Sequence, residues 1–252
     1  MAVSRHPVAQ PVNRVPPVTT SFWAVKVLAT TVGETGADYL ATHVGLGTAV
    51  TGAVMSLLLI GSLLWQFRQA RYVPWIYWLT VVLVSVVGTQ LTDALTDGLG
   101  VSLYVSTAAF AVALAALFVL WRRTEGTLDI RSIVTRRREW FYWFAILLTF
   151  ALGTAAGDLA TEALGLGFRI GVVVFLLAIA ATAAAWQMGA SAVATFWIAY
   201  ILTRPLGASL GDLISQSSEY GGLGGGTVNT SLIFLALITT LVGVETFRKS
   251  SP

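Results

Sequence analysis

Cysteine is absent from this 252-residue chain, and histidine occurs only twice, at His6 and His43. Disulfides and thiolate metal sites are thereby excluded, and a haem with two axial histidines is not expected. Charge is scarce as well. Asp, Glu, Lys and Arg make up 11% of the chain against 56% apolar residues, and the mean hydropathy is +0.78. So few polar side chains cannot clothe a soluble globule, and the composition belongs in lipid. No HExxH zinc motif occurs, no GxSxG nucleophile elbow is expected, and His43 is the one intramembrane histidine candidate, which leaves no available Ser/His pair, so an enzyme is not expected. The pI near 9.4 would suggest an anionic partner in a soluble protein. Here the basic residues fall in loops, where they set orientation, and nucleic acid is not expected. No cofactor is evident, and a divalent cation is the one candidate.

What the chain does contain is a fourfold repeat. Segments beginning with an aromatic residue and a tryptophan recur at Phe22 and Trp23, Tyr77 and Trp78, Tyr142 and Trp143, and Phe196 and Trp197. In each, a glycine follows the tryptophan by ten positions (Gly33, Gly88, Gly153, Gly207) and an aspartate by fifteen (Asp38, Asp93, Asp158, Asp212). The residue before each aspartate is small or short, as in Gly157 and Gly211, giving small-xxx-small pairs that let helices approach closely inside a bilayer. The tryptophans are spaced by 55, 65 and 54 residues, and the longer middle interval holds a charged connector.

Each unit has room for two apolar spans of about 20 residues, the length needed to cross a hydrocarbon core of about 30 Å. The expected spans are 22–43, 47–67, 74–97, 101–121, 140–164, 168–187, 192–215 and 228–247. The expected fold is all-α: eight transmembrane helices from four tandem two-helix repeats, with a pseudo-symmetry axis along the membrane normal. Residues 1–21 read as a disordered cytoplasmic tail, since no apolar run precedes Phe22. Residues 22–121 hold repeats 1 and 2, 122–139 the charged cytoplasmic connector, 140–247 repeats 3 and 4, and 248–252 a cytoplasmic tail. Basic residues including Arg68, Arg71, Arg122, Arg123, Arg136, Arg137, Arg138 and Arg248 fall on one side, with only Arg169 opposite, so both termini are expected in the cytoplasm. Trp23, Trp78, Trp143 and Trp197 are expected as interface anchors on that side.

The four tryptophans with their following Gly and Asp, over residues 22–247, resemble a family of bacterial membrane-anchored proteins. That family is built from four tandem two-span repeats, each with a characteristic tryptophan, and is known chiefly as a repeat of unknown function. The resemblance implies the architecture and an inner-membrane location, and it supplies no substrate.

Chemistry must come from the residues. Seven acids fall within the odd-numbered spans: Glu34, Asp38, Asp93, Asp97, Asp158, Glu162 and Asp212. A carboxylate in a membrane costs about 2.5–3.5 kcal/mol even on a lenient scale, so these should face the bundle interior or a hydrated cavity, with even helices packed outside. Arg204, before Pro205, is the expected charge partner, for an acid such as Glu34, whereas Lys26 is expected to snorkel to the cytoplasmic surface. Glu34, Asp97 and Glu162 each lie four residues from a motif aspartate, on the same helical face. The expected function is a transporter or channel-like permease for a hard cation, divalent or proton-coupled, with lipid and a small cation as partners and the oligomeric state open. The alternatives are a non-transporting scaffold or sensor that binds lipid or a protein and, with weaker support, a membrane-embedded enzyme. Unless the glycines pack against a second chain, Gly33, Gly88, Gly153, Gly157, Gly207 and Gly211 are the helix-packing positions.

Overall fold

Helix boundaries follow local chemistry in this computed structural model, which describes residues 12–39 and 47–250. The hydroxyl of Thr19 accepts the amide of Phe22 and opens α1 (Thr20–Asp38). Helix α2 (Gly47–Arg68) is followed by α3 (Pro74–Asp93), whose first turn uses a proline that needs no amide partner there. Ser102 caps α4 (Leu103–Glu125), and Gly126, at φ 74°, closes it in the left-handed region. Thr135 caps α5 (Arg136–Asp158), α6 spans Gly167–Gln187, Ser191 caps α7 (Ala192–Ser215), and α8 spans Thr227–Ser250. Among the described residues there is no strand, and all helices except α1 are long and apolar enough to cross a membrane.

The odd-numbered helices form a closed ring in the order α1, α3, α5, α7 and back to α1. Each even helix lies outside, against the odd helix of the next repeat: α2 on α3, α4 on α5, α6 on α7 and α8 on α1. The repeats are therefore interlocked, and α8 closes the circle. Of the most apolar stretch of α3, 72% is buried, against 11% in α4 and α6, so the outer helices present apolar faces outward.

The motif glycines make the ring close. A Cβ on Gly88 would sit 2.6 Å from the Cβ of Phe150, and one on Gly153 would sit 2.5 Å from the Cβ of Arg204. Gly33 meets Ser85 and Gly207 meets Thr30 in the same way. The residue met is always three before the next repeat's own glycine, so one contact is made four times around the ring. Gly157 and Gly211 extend the strip one turn, against Pro205 and against Thr31 and Thr35. Small-xxx-small pairs thus serve packing within one chain.

Two expectations fail at the tryptophan end. Residues 12–19 are not a disordered tail but a strap. Val15 is buried, Asn13 Nδ2 donates to the Ile130 carbonyl, and Arg14 pairs at 2.7 Å with the fully buried Glu139, which Gln66 also contacts. A buried carboxylate needs that pairing, which is why the segment is held. The connector is also shorter than 122–139, because α4 runs on to Glu125 and α5 begins at Arg136. Their end turns carry the exposed Arg122, Arg123, Arg136 and Arg137, and Arg138 bonds back to Glu125 at 3.0 Å.

Candidate functional site: an acidic cup over a sealed ring

At the end of the ring away from the tryptophans, α3 and α5 do not stop at their motif aspartates. Each continues into a π-helical turn, at Ala94–Gly98 and Leu159–Ala163. Such a turn inserts extra backbone and widens the helix, and it recurs at functional positions in helices. Here the widened turns carry Asp97 and Glu162. The ring splays into a cup of about 230 Å³ lined by Glu34, Asp93, Asp97, Asp158, Glu162 and Asp212, with Thr96 and Gln216 as neutral polar neighbours. Leu103 and Phe168, from the outer helices, form its apolar wall. Six of the seven expected acids are therefore brought together. Asp38 ends α1, and its side chain, like His43, lies outside the described residues.

The floor of the cup is Arg204. Its guanidinium donates to the Glu34 carboxylate at 2.6 Å, to the Thr30 carbonyl at 3.3 Å and to the Thr89 hydroxyl. The stem lies on Gly153. One fully buried side chain on α7 thus ties α1, α3 and α5 together. It fits because the equivalent positions are Thr30, Ser85 and Phe150, two small residues and a ring, so the centre has room for one long side chain. Arg204 precedes Pro205, yet α7 stays helical throughout.

Below the floor Lys26 departs from expectation. It does not snorkel outward but is buried inside the ring, its ammonium nitrogen 3.9 Å from the ring centre of Phe150 and 4.3 Å from that of Tyr200. No hydrogen-bond acceptor reaches it among the described residues. Two ring faces in a desolvated site offer a cation about 2 kcal/mol or more.

Aromatics then fill the remaining depth. Phe22 lies 6.1 Å from Phe196, Tyr142 6.3 Å from Trp197, and the Tyr77 and Tyr142 hydroxyls share a 2.5 Å hydrogen bond. Trp78, Trp143 and Trp197 are buried in this plug rather than anchored at an interface, while Trp23 is half-buried. The exposed tryptophans are Trp65, Trp75, Trp140 and Trp186. The repeat spacing marked the tryptophans without telling which face they use. A parallel ring of four closely packed helices must fill its own axis, and large flat side chains do so.

Comparison with known proteins agrees with the repeat. The family model described as "Repeat of Unknown Function (DUF347)" matches residues 21–72, 76–127, 141–189 and 195–251. The chain belongs to this repeat family. No curated protein and no solved structure matches it. In this DUF347 chain the run Gly207, Ala208, Ser209, Leu210, Gly211 spells a nucleophile-elbow pattern, but it lies mid-helix, with Ser209 buried. The elbow requires a strand-to-helix turn, so the letters here encode packing. Nor do three or more acidic or histidine side chains converge as metal ligands would among the described residues. The carboxylates stand instead around the cup wall.

Proposed function

We propose that this protein is a polytopic permease for a small hard cation, embedded in a bacterial inner membrane with both termini in the cytoplasm and the cup opening outward. The observation that carries the reading is the gathering of six carboxylates around one cavity, at the end of a ring whose outer helices turn apolar faces away from it. The orientation is supported by Arg68, Arg71, Arg122, Arg123, Arg136, Arg137 and Arg138 at the tryptophan end, against Arg169 near the cup. Spread carboxylates in a cup of this size suit an ion held through its water shell, as Mg²⁺ commonly is. No cofactor and no catalytic step enter this reading. The test is uptake of Mg²⁺, Mn²⁺ and Na⁺ by proteoliposomes holding the full chain or its Asp93→Asn, Asp158→Asn and Asp212→Asn variants. Uptake lost at least tenfold in variants that elute as folded protein supports the reading. Equal uptake in variants and parent sinks it.

A second reading draws on the sealed tryptophan end. A cup that binds a cation above a closed plug is also what a non-transporting sensor needs. The same vesicles decide between them, since a sensor binds Mg²⁺ or Mn²⁺ in the cup and moves neither.

A further inference from the structure

The fourfold pattern breaks at a few positions inside the ring, and the breaks line up. One turn below the floor the equivalent residues are Lys26, Val81, Ile146 and Tyr200, and at the plug they are Phe22, Tyr77, Tyr142 and Phe196. The polar members of both layers are neighbours. Lys26 sits over Tyr200, and the Tyr200 hydroxyl faces that of Tyr142 without a fully formed hydrogen bond. Tyr142 and Tyr77 are bonded at 2.5 Å. Tyr77 packs edge-on against Tyr72 at 5.4 Å, and the Tyr72 hydroxyl donates at 3.1 Å to Glu245 on α8, at the tryptophan end. A ring needing only to be plugged would be served by Phe throughout, as Phe22 and Phe196 show.

We propose that Lys26 is a proton-exchanging group, connected to the tryptophan end by a relay through Tyr200, Tyr142, Tyr77, Tyr72 and Glu245. The proposal rests on the permease reading and adds the proton as its coupling ion. In the step, the Lys26 ammonium gives a proton to the Tyr200 oxygen as that phenol passes its own to Tyr142, and so on to Tyr77, Tyr72 and Glu245. Each tyrosine ends as it began, Lys26 ends as a neutral amine, and one proton leaves at the tryptophan end. The reverse sequence reloads it. The geometry leaves both states of Lys26 within reach. Two ring faces hold the ammonium, while the Arg204 guanidinium repels it and no carboxylate among the described residues is bonded to it. The titratable or charged groups facing it among the described residues are Arg204 and Tyr200, both on α7, and Arg204 is itself paired with Glu34 of α1. The steps from Lys26 to Tyr200, from Tyr200 to Tyr142 and from Tyr77 to Tyr72 each need a side-chain swing that brings donor and acceptor into hydrogen-bond distance.

The experiment uses the full chain in liposomes with a trapped pH dye, the membrane potential clamped by K⁺ and valinomycin, and Mg²⁺ or Mn²⁺ outside or absent. Parent protein should carry protons well above empty vesicles after a pH step. Lys26→Met should lower that rate at least tenfold. Tyr142→Phe and Tyr77→Phe, which remove only hydroxyls and decide the matter should Lys26→Met not fold, should each lower it at least threefold. Proton flux absent from the parent, or unchanged in all three variants, overturns the relay. Cation uptake that persists beside Lys26-independent proton flux overturns the relay and leaves the permease. Lys26-dependent proton flux without cation uptake keeps the relay and removes the permease.

Discussion

One ring of four helices has two ends that obey different rules. At the tryptophan end, aromatic side chains fill the axis and the strap at Arg14 covers buried Glu139. At the other end two of the same helices, α3 and α5, widen through π turns, and carboxylates face a cavity. The repeat unit is common to both ends, so the difference lies in which positions depart from it. Packing sets the closed end, where each departure must fit a filled space. Charge sets the open end, where acids line one cavity and stability gains nothing from them. Substitutions should therefore be costly below the floor and cheap above it.

The largest effect is expected at the boundary itself. Arg204→Met leaves Glu34 as a buried carboxylate without its guanidinium, and breaking a buried pair costs about 3–5 kcal/mol. Adding Glu34→Gln should recover most of that, because the uncompensated charge is then gone. Thermal unfolding in detergent of the two single variants and the double one checks the sign of the coupling. A double variant as unstable as the sum of the singles would mean that the pair does not define the floor.

Next in size is the ring contact. Gly88→Ala places a methyl 2.6 Å from Phe150 Cβ and 3.3 Å from the Ala151 amide nitrogen, so α3 and α5 must part, at a cost of about 1–3 kcal/mol. Gly36→Ala, with no neighbour within 4 Å among the described residues, should be neutral or gain a few tenths of a kcal/mol from helix propensity. A smaller shift still is expected in the cup. Asp97→Asn and Glu162→Gln together remove like charges near each other, and stability should change by less than about 0.5 kcal/mol or rise. A marked loss in the cup pair would erase the contrast between the two ends.

Much of this layout was legible in the sequence, because the spacing of Trp, Gly and Asp repeats at helical distances. The inner and outer roles of odd and even helices followed from where the acids fall, since carboxylates avoid lipid. Lys26 was misread because snorkelling is judged from its own helix. Its real neighbours, Phe150 and Tyr200, come from α5 and α7, more than 120 residues away in the chain. The strap was misread for the same reason: Arg14 looks like tail until Glu139 and Gln66 are folded against it. The interlocking of each even helix with the following repeat leaves no mark in a single unit, and the π turns leave none that composition records.

The smallest effect belongs to the solvated rim of the closed end. The Arg131 guanidinium, bonded to Asp129 at 2.7 Å, holds the Asp129 carboxyl below the usual carboxylate range. A group whose folded-state value is depressed stabilises above its unfolded value, about pH 4, and loses that contribution as pH falls through the folded value. Arg131 is largely exposed, so solvent screens the pair and the effect is close to the limit of detection. Unfolding of the parent and of Asp129→Asn, followed from pH 6 to pH 3, should show a slight parent advantage that vanishes at the acid end. An advantage that instead grows toward acid would mean that Asp129 matters through its backbone bonds to the 129–132 turn and not through its charge.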